Sequence, residues 1–124
     1  MSAAEFLAKA KAALNSAKRD LAAQDYDGAA NRLYYAMFHA ARAALFSVGA
    51  SAQGKHGTIM AQFGLRFCKN GPLPVEFGRA LNEAAELRSE GDYGPTSLAA
   101  SDVAAYVETA ERFAAVKELV SPEH

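Results

Sequence analysis

Alanine fills about a quarter of this 124-residue chain, and no run alternates β-branched with polar residues as a half-buried strand would. Alanine is the best helix former, so the first constraint on the fold is helical. Leu7, Ala10, Leu14, Ala17 and Leu21 recur at three and four residues and predict one amphipathic helix. "AQDYDGAA" supplies a turn, with Asp25 or Asp27 able to cap a second helix that runs to about Val48, where "VGASAQG" stops it. A third helix starts around Lys55 and carries Ile59, Phe63 and Phe67. "KNGPLP" ends it: Gly71 suits the left-handed position after a helix, and Pro74 suits the first turn of the next. The fourth, about 74 to 90, buries Phe77, Leu81 and Ala84, and "SEGDYGPTS" reads as a loop. Ser101 is a candidate N-cap for a last helix with Val103, Tyr106, Val107, Ala110, Phe113 and Ala114 on one side. The expectation is an all-α fold, a five-helix up-and-down bundle, with residues 1–124 forming a single domain.

Hydrophobic residues make up 51% of the chain and charged residues 22%, which places it in the soluble globular class. The formal net charge of −1 argues against nucleic-acid binding through bulk electrostatics, so any RNA or nucleotide contact has to come from a local patch. Cys68 is the only cysteine, which rules out an internal disulfide and points to a reducing compartment. With no visible secretory signal and no run of the roughly 20 apolar residues of a membrane span, the expected location is cytoplasmic, away from the membrane. The segment "AAQDYDGAANRLYYAMFHAA" has the rhythm of a tetratricopeptide unit, but its period is not repeated downstream.

The polar residues of "NRLYYAMFHAAR" need a reason to be in an alanine-rich helix. At 3.6 residues per turn, Arg32, Tyr35, Ala36, His39, Ala43 and Phe46 share one face, and Tyr34, Phe38, Ala41 and Leu45 lie nearly opposite. Two apolar faces describe a helix enclosed on most sides, as at the centre of a bundle or a dimer. Arg32 and His39 then lie along a partly buried face, where an arginine is costly unless paired. In "ELRSEGDYG", Arg88 follows Leu81 by seven and lies near the core-facing side, with Asp92 and Tyr93 just after the helix end. Locally, Arg88 can pair with Asp92 while Tyr93 covers the end of the core. Lys55 and His56, in "GKHGT", sit at the start of the third helix, where free backbone N–H groups favour an anion such as phosphate. No cysteine or carboxylate cluster stands at ligand spacing with the three histidines, and Glu83 and Glu86 lack a Glu-x-x-His pair, so neither a metal nor another cofactor is expected.

Taken together, "NRLYYAMFHAAR", "KHGTIMAQFG" and "LPVEFGRALNEAAELRSEGDYG" resemble the HEPN family, in particular its small stand-alone bacterial and archaeal branch, over about residues 5 to 118. The resemblance implies an up-and-down helical bundle, usually a homodimer. Many members are encoded beside a minimal nucleotidyltransferase and form a toxin–antitoxin pair with it, the HEPN protein acting as a metal-independent endoribonuclease. The family's catalytic signature is an arginine, four to six residues, then a histidine, late in the domain. Arg32 and His39 are separated by six residues but lie in the second helix, whereas Arg88 matches the late position with Tyr93 where the histidine would stand. Tyrosine, with an ordinary pKa of about 10, is a poor general base at neutral pH.

Three readings follow. In the first, the protein cleaves RNA: a ribose 2′-hydroxyl attacks the adjacent phosphate, His39 acts as base or acid, Arg32 or Arg88 holds the phosphoryl oxygens, and His56 supplies the second proton transfer. In the second, a polar groove lined by Tyr35, Lys55, His56, Asp92 and Tyr93 binds a nucleotide or RNA without cutting it. In the third, the chain is a non-catalytic helical dimerisation or interaction module. The sequence favours a HEPN partner of a minimal nucleotidyltransferase, with catalysis open.

Overall fold

The computed structural model describes residues 2–115, which form five α-helices and no strand among the described residues. Helix α1 (Ala3–Ala22) starts at Ser2, whose hydroxyl accepts the Glu5 N–H while the Glu5 carboxylate accepts the Ser2 N–H. This reciprocal pairing satisfies two donors that a helix start otherwise leaves free. Gln24, with φ at 62°, turns the chain into α2 (Tyr26–Ser47). Asp25, one of the two candidate caps, accepts the Gly28 N–H; Asp27 instead accepts the N–H of Leu98 at 2.9 Å and ties the start of α2 to the far end of the chain.

Helix α3 (His56–Phe63) runs directly into a wider, π-helical turn over Gly64–Lys69. Ile59, Phe63 and Phe67 are all buried, as their spacing predicts. Gly71 does not have the left-handed backbone expected of it. A Cβ there would run into the Arg66 carbonyl and the Phe67 backbone, because the chain folds back on that turn with Leu73 N–H bonded to the Phe67 carbonyl. Glycine is required by close approach rather than by φ.

Helix α4 spans Val75–Tyr93, three residues beyond its expected end, so Asp92 and Tyr93 belong to its last turn and not to a loop. Gly91 explains the extension. A Cβ at that position would lie 3.1 Å from a Leu98 methyl and 3.3 Å from the Asp27 Cα, so the glycine lets α4 continue hard against the start of α2. Helix α5 (Ala100–Ala114) begins after Ala99, not at Ser101: the Asp102 carboxylate accepts the Ala99 N–H at 2.9 Å and sets the start. Val103, Ala110 and Phe113 point inward, with Tyr106, Val107 and Ala114 partly buried beside them.

Helix α2 is the hub: it packs against α1, α3, α4 and α5. Its buried side consists largely of small residues, including Ala29, Ala36, Ala40 and Ala44, with Leu33, Met37 and Leu45. The enclosure expected from its sequence is observed. An exposed Lys18–Glu111 pair joins α1 to α5 at 2.9 Å, a contact of little energetic weight at that exposure. Among the described residues no helix is long and apolar enough to cross a membrane.

Candidate functional site

Tyr35 is the centre around which the polar residues gather. Arg32 lies 5.1 Å and Arg88 5.5 Å from its ring centroid, and the His39 and His56 rings lie 5.8 and 5.9 Å away. Four residues from three helices therefore surround one aromatic ring. Helix α2 supplies Arg32, Tyr35 and His39 at spacings of three and four; α4 brings in Arg88 near its C-terminal end, and α3 brings in His56 as its first residue.

The two-faced division of α2 needs correction. Tyr34 and Phe38 are not opposite this site but flank it: the Tyr34 and Tyr35 rings are 5.0 Å apart, and the Phe38 ring lies 4.2 Å from His56. The seam between the two assigned faces holds Asn31 and Arg42, which belong to the cluster although neither face includes them. Their signal was present. Asn31, Tyr35, Phe38 and Arg42 follow one another at four, three and four residues, a single helical stripe.

A hydrogen-bonded relay runs along the edge. Arg32 Nε and Nη2 donate to the Asn31 side-chain oxygen at 3.0 and 2.7 Å, and Asn31 Nδ2 donates to Asp92 at 3.1 Å. Asp92 in turn lies 3.0 Å from Arg88 Nε, one helical turn earlier. The local Arg88–Asp92 pairing expected from sequence is present, but the Arg88 N–H is not aimed at the carboxylate. That buried Nε has no hydrogen-bond partner among the described residues. Tyr93, expected to cover the end of the core, is 76% exposed, with its ring 6.0 Å from Arg88. Lys55 is exposed at the cap of α3 and makes no side-chain capping bond.

The histidines have distinct environments. His39 is pushed down to about 4, first by burial and then by Arg42, Lys9, Arg32 and His56, and its Nδ1 lacks a partner among the described residues. It is a neutral ring at pH 7. His56 is also lowered, by desolvation and by Arg88 and Arg42, and its Nδ1 lies 2.9 Å from the hydroxyl of Tyr34. Tyr34 is buried, which raises its hydroxyl to about 12 and keeps it protonated. Arg42 donates through Nε to the Ala52 carbonyl at 3.0 Å and stacks over Phe6 at 4.3 Å. Among the described residues, three guanidinium groups thus surround the cluster with one carboxylate, Asp92, among them. The local charge is positive although the chain's net charge is −1. Among the described residues, no group of three or more His, Cys, Asp or Glu is placed to hold a metal ion.

A surface hollow of about 530 Å³ lies elsewhere, lined by Val48, Gln62, Leu65, Arg66, Asn70 and Pro72, and contains none of the cluster residues.

A family model described as the HEPN domain matches residues 3–120. Among curated relatives, UPF0332 protein glr0978 of Gloeobacter violaceus is 44% identical over 69 residues, 56% of this chain and 54% of the relative. A UPF0332 protein of Thermotoga maritima is 37% identical over 86 residues, 69% of this chain and 64% of its own length. A Methanocaldococcus jannaschii protein, MJ0142, named as a candidate toxin, is 29% identical over 103 residues, 83% of this chain and 69% of that one. The matched stretch therefore spans between half and two thirds of the first two relatives.

Proposed function

The chain belongs to the HEPN family, and from that premise we propose that it is a toxin-type HEPN protein binding RNA or a nucleotide at the cluster around Tyr35. One observation carries this reading: Arg32, His39, His56 and Arg88 approach a single ring from three helices, although they are spread over 57 positions of sequence from 32 to 88. A purely structural polar seam would leave its charges paired, whereas this one keeps three guanidinium groups beside one carboxylate. The candidate-toxin relative, whose length this chain covers by 69%, supports the same assignment.

The reaction proposed is metal-independent cleavage by attack of a 2′-hydroxyl on the adjacent phosphorus. Arg32 and Arg88 stabilise charge developing on the phosphoryl oxygens. His39, unprotonated at pH 7, accepts the hydroxyl proton, and His56, protonated once the substrate's phosphate lies against it, gives its proton to the leaving oxygen. Tyr35, Asp92, Tyr93 and Lys55 line the binding surface. In the cell the protein is cytoplasmic, acts as a homodimer and is held silent by a minimal nucleotidyltransferase. A binding-only role is the second reading, favoured by Tyr93 standing in the place of the signature histidine.

The test is incubation of the purified protein with mixed RNA in EDTA, beside His39→Ala and Arg88→Ala. Cleavage lost in both variants is the expected result. Cleavage that survives both changes would remove these residues from the reaction. Intact RNA that nevertheless binds the protein would leave the binding-only reading.

A further inference from the structure

The reading above leaves Arg42 and Tyr34 unused, yet both bear on His56. Arg42 Cζ lies 5.7 Å from the Phe38 ring centroid, and that ring is 4.2 Å from His56. Arg88 approaches from α4, 5.8 Å from the Tyr34 ring and 5.5 Å from the Tyr35 ring, each of which lies 5.9 Å from His56. Arg42 and Arg88 therefore both approach the rings that pack on His56, and both act on its charge. Resting on the nucleotide- or RNA-binding reading, we propose that Arg42 and Arg88 hold one phosphate group of the ligand against His56, with Tyr34 as the positioning residue for that ring.

The two arginines differ in how they are fixed. Arg42 has its Nε tied to the Ala52 carbonyl and its plane over Phe6, so its terminal nitrogens are held in place with no carboxylate partner among the described residues. Arg88 lies with its Nε 3.0 Å from Asp92 but without an aligned hydrogen bond, and Asp92 accepts instead from Asn31. Like charges held together in a partly desolvated place are costly until an anion joins them. A phosphate is the anion whose geometry matches two guanidinium forks.

Tyr34 determines which nitrogen of His56 faces the ligand. Its hydroxyl has two neighbours, His56 Nδ1 at 2.9 Å and Met60 Sδ at 3.9 Å. The thioether is a weak acceptor, so the proton goes to Nδ1. The neutral ring then carries its own hydrogen on Nε2, on the side turned away from buried Tyr34, and presents a donor to the phosphate. The groups facing His56 are Tyr34, Tyr35, His39 and Arg42 from α2 and Arg88 from α4. None of them is a carboxylate, so a bound phosphate brings the first negative charge into contact with the ring.

The experiment is an NMR pH titration of the full chain, with the His56 signal assigned by its loss in His56→Gln. Inorganic phosphate is the probe, compared with chloride at equal ionic strength. The His56 midpoint is expected to rise by about one unit with phosphate, as for a titrating group that gains an opposite charge in contact. Arg42→Gln, which retains a donor for the Ala52 carbonyl, and Arg88→Gln are each expected to remove most of that rise. Lys69→Ala should leave it intact. In Tyr34→Phe, which keeps the ring, the imidazole nitrogen shifts should move from the Nε2–H form towards a tautomer mixture.

A wild-type midpoint unmoved by phosphate, or a full rise in Arg42→Gln, overturns the assignment. An RNA arm separates this result from the parent reading. RNA bound with the His56 midpoint unmoved defeats the phosphate site alone. A phosphate response with no RNA binding leaves the anion site standing and defeats the RNA reading.

Discussion

On one side of α2 stand Ala36, Met37, Ala40, Ala41 and Ala44, each at 0% exposure; on the other stand Asn31, Tyr35, His39 and Arg42, none of them fully buried. The alanine side meets its requirements within the chain, since small side chains leave no polar atom to satisfy and let the neighbouring helices approach closely. The polar side does not. His39 Nδ1 and Arg88 Nε are buried without hydrogen-bond partners among the described residues, and both histidines are pushed down, first by burial and then by nearby cations. One face of the helix supplies stability, and the other holds groups left without partners among the described residues.

The largest effect expected from breaking this contrast is on the alanine side. Met37→Ala deletes a fully buried side chain from the centre of α2 and should cost about 2–5 kcal/mol, including the cavity left behind. Chemical unfolding gives the number, and phosphate binding measured well below the melting temperature should be unchanged. A loss of binding in a folded Met37→Ala protein would show that the two faces are coupled through the helix.

The next effect belongs to the polar side and depends on pH. His39 titrates at about 4 in the folded protein against 6.5 when unfolded. Below pH 6.5 the unfolded chain takes up the proton first, so the contribution of His39 to stability is full above 6.5 and is lost as pH falls towards 4. His39→Phe should abolish this part of the acid-side decline while leaving stability at pH 8 nearly unchanged. The ring is only half-buried, so solvent screening makes the difference smaller than the bare shift implies. Urea melts of both proteins at pH 8, 6 and 4 decide it. Parallel curves would mean that His39 is as comfortable charged as neutral, which would contradict the desolvation of this face.

How much of this was legible follows the same division. The stripes of α1, α3 and α5 were readable because Ile59, Phe63, Phe67, Val103, Ala110 and Phe113 answer to burial alone, which periodicity reports directly. The end of α4 was not, since Gly91 and Asp92 carry the local chemistry of a loop and become helical only through contact with Asp27 and Leu98. The Arg88–Asp92 pairing was legible all the same, as a contact past a helix end rather than along the last turn of α4. The start of α5 was misplaced because a serine is the better cap by type, while the carboxylate of Asp102 captures the earlier N–H. In the site, Arg32, Tyr35, His39, His56, Arg88 and Asp92 were named from sequence and come together. Asn31 and Arg42 were missed because dividing α2 into two faces placed its central seam on neither. The Tyr34–His56 bond joins residues 22 apart and has no sequence signature.

The smallest expected change in stability gives the sharpest test of the contrast. Asp92→Asn keeps an oxygen that can accept from Asn31 and removes the only carboxylate in the cluster among the described residues. The Arg88–Asp92 contact is a partly exposed i, i+4 pair without an aligned hydrogen bond, so its loss should cost only about 0.3–0.5 kcal/mol. Binding should move the other way. With Arg88 no longer partly neutralised, affinity for RNA should rise a few-fold at low salt and fall more steeply as salt increases, because one more cation is available to the phosphates. Filter binding across a salt series measures both slope and affinity. If affinity falls instead, Asp92 is needed to hold Arg88 and Asn31 in register, and the polar face is more nearly self-contained than its unpaired atoms indicate.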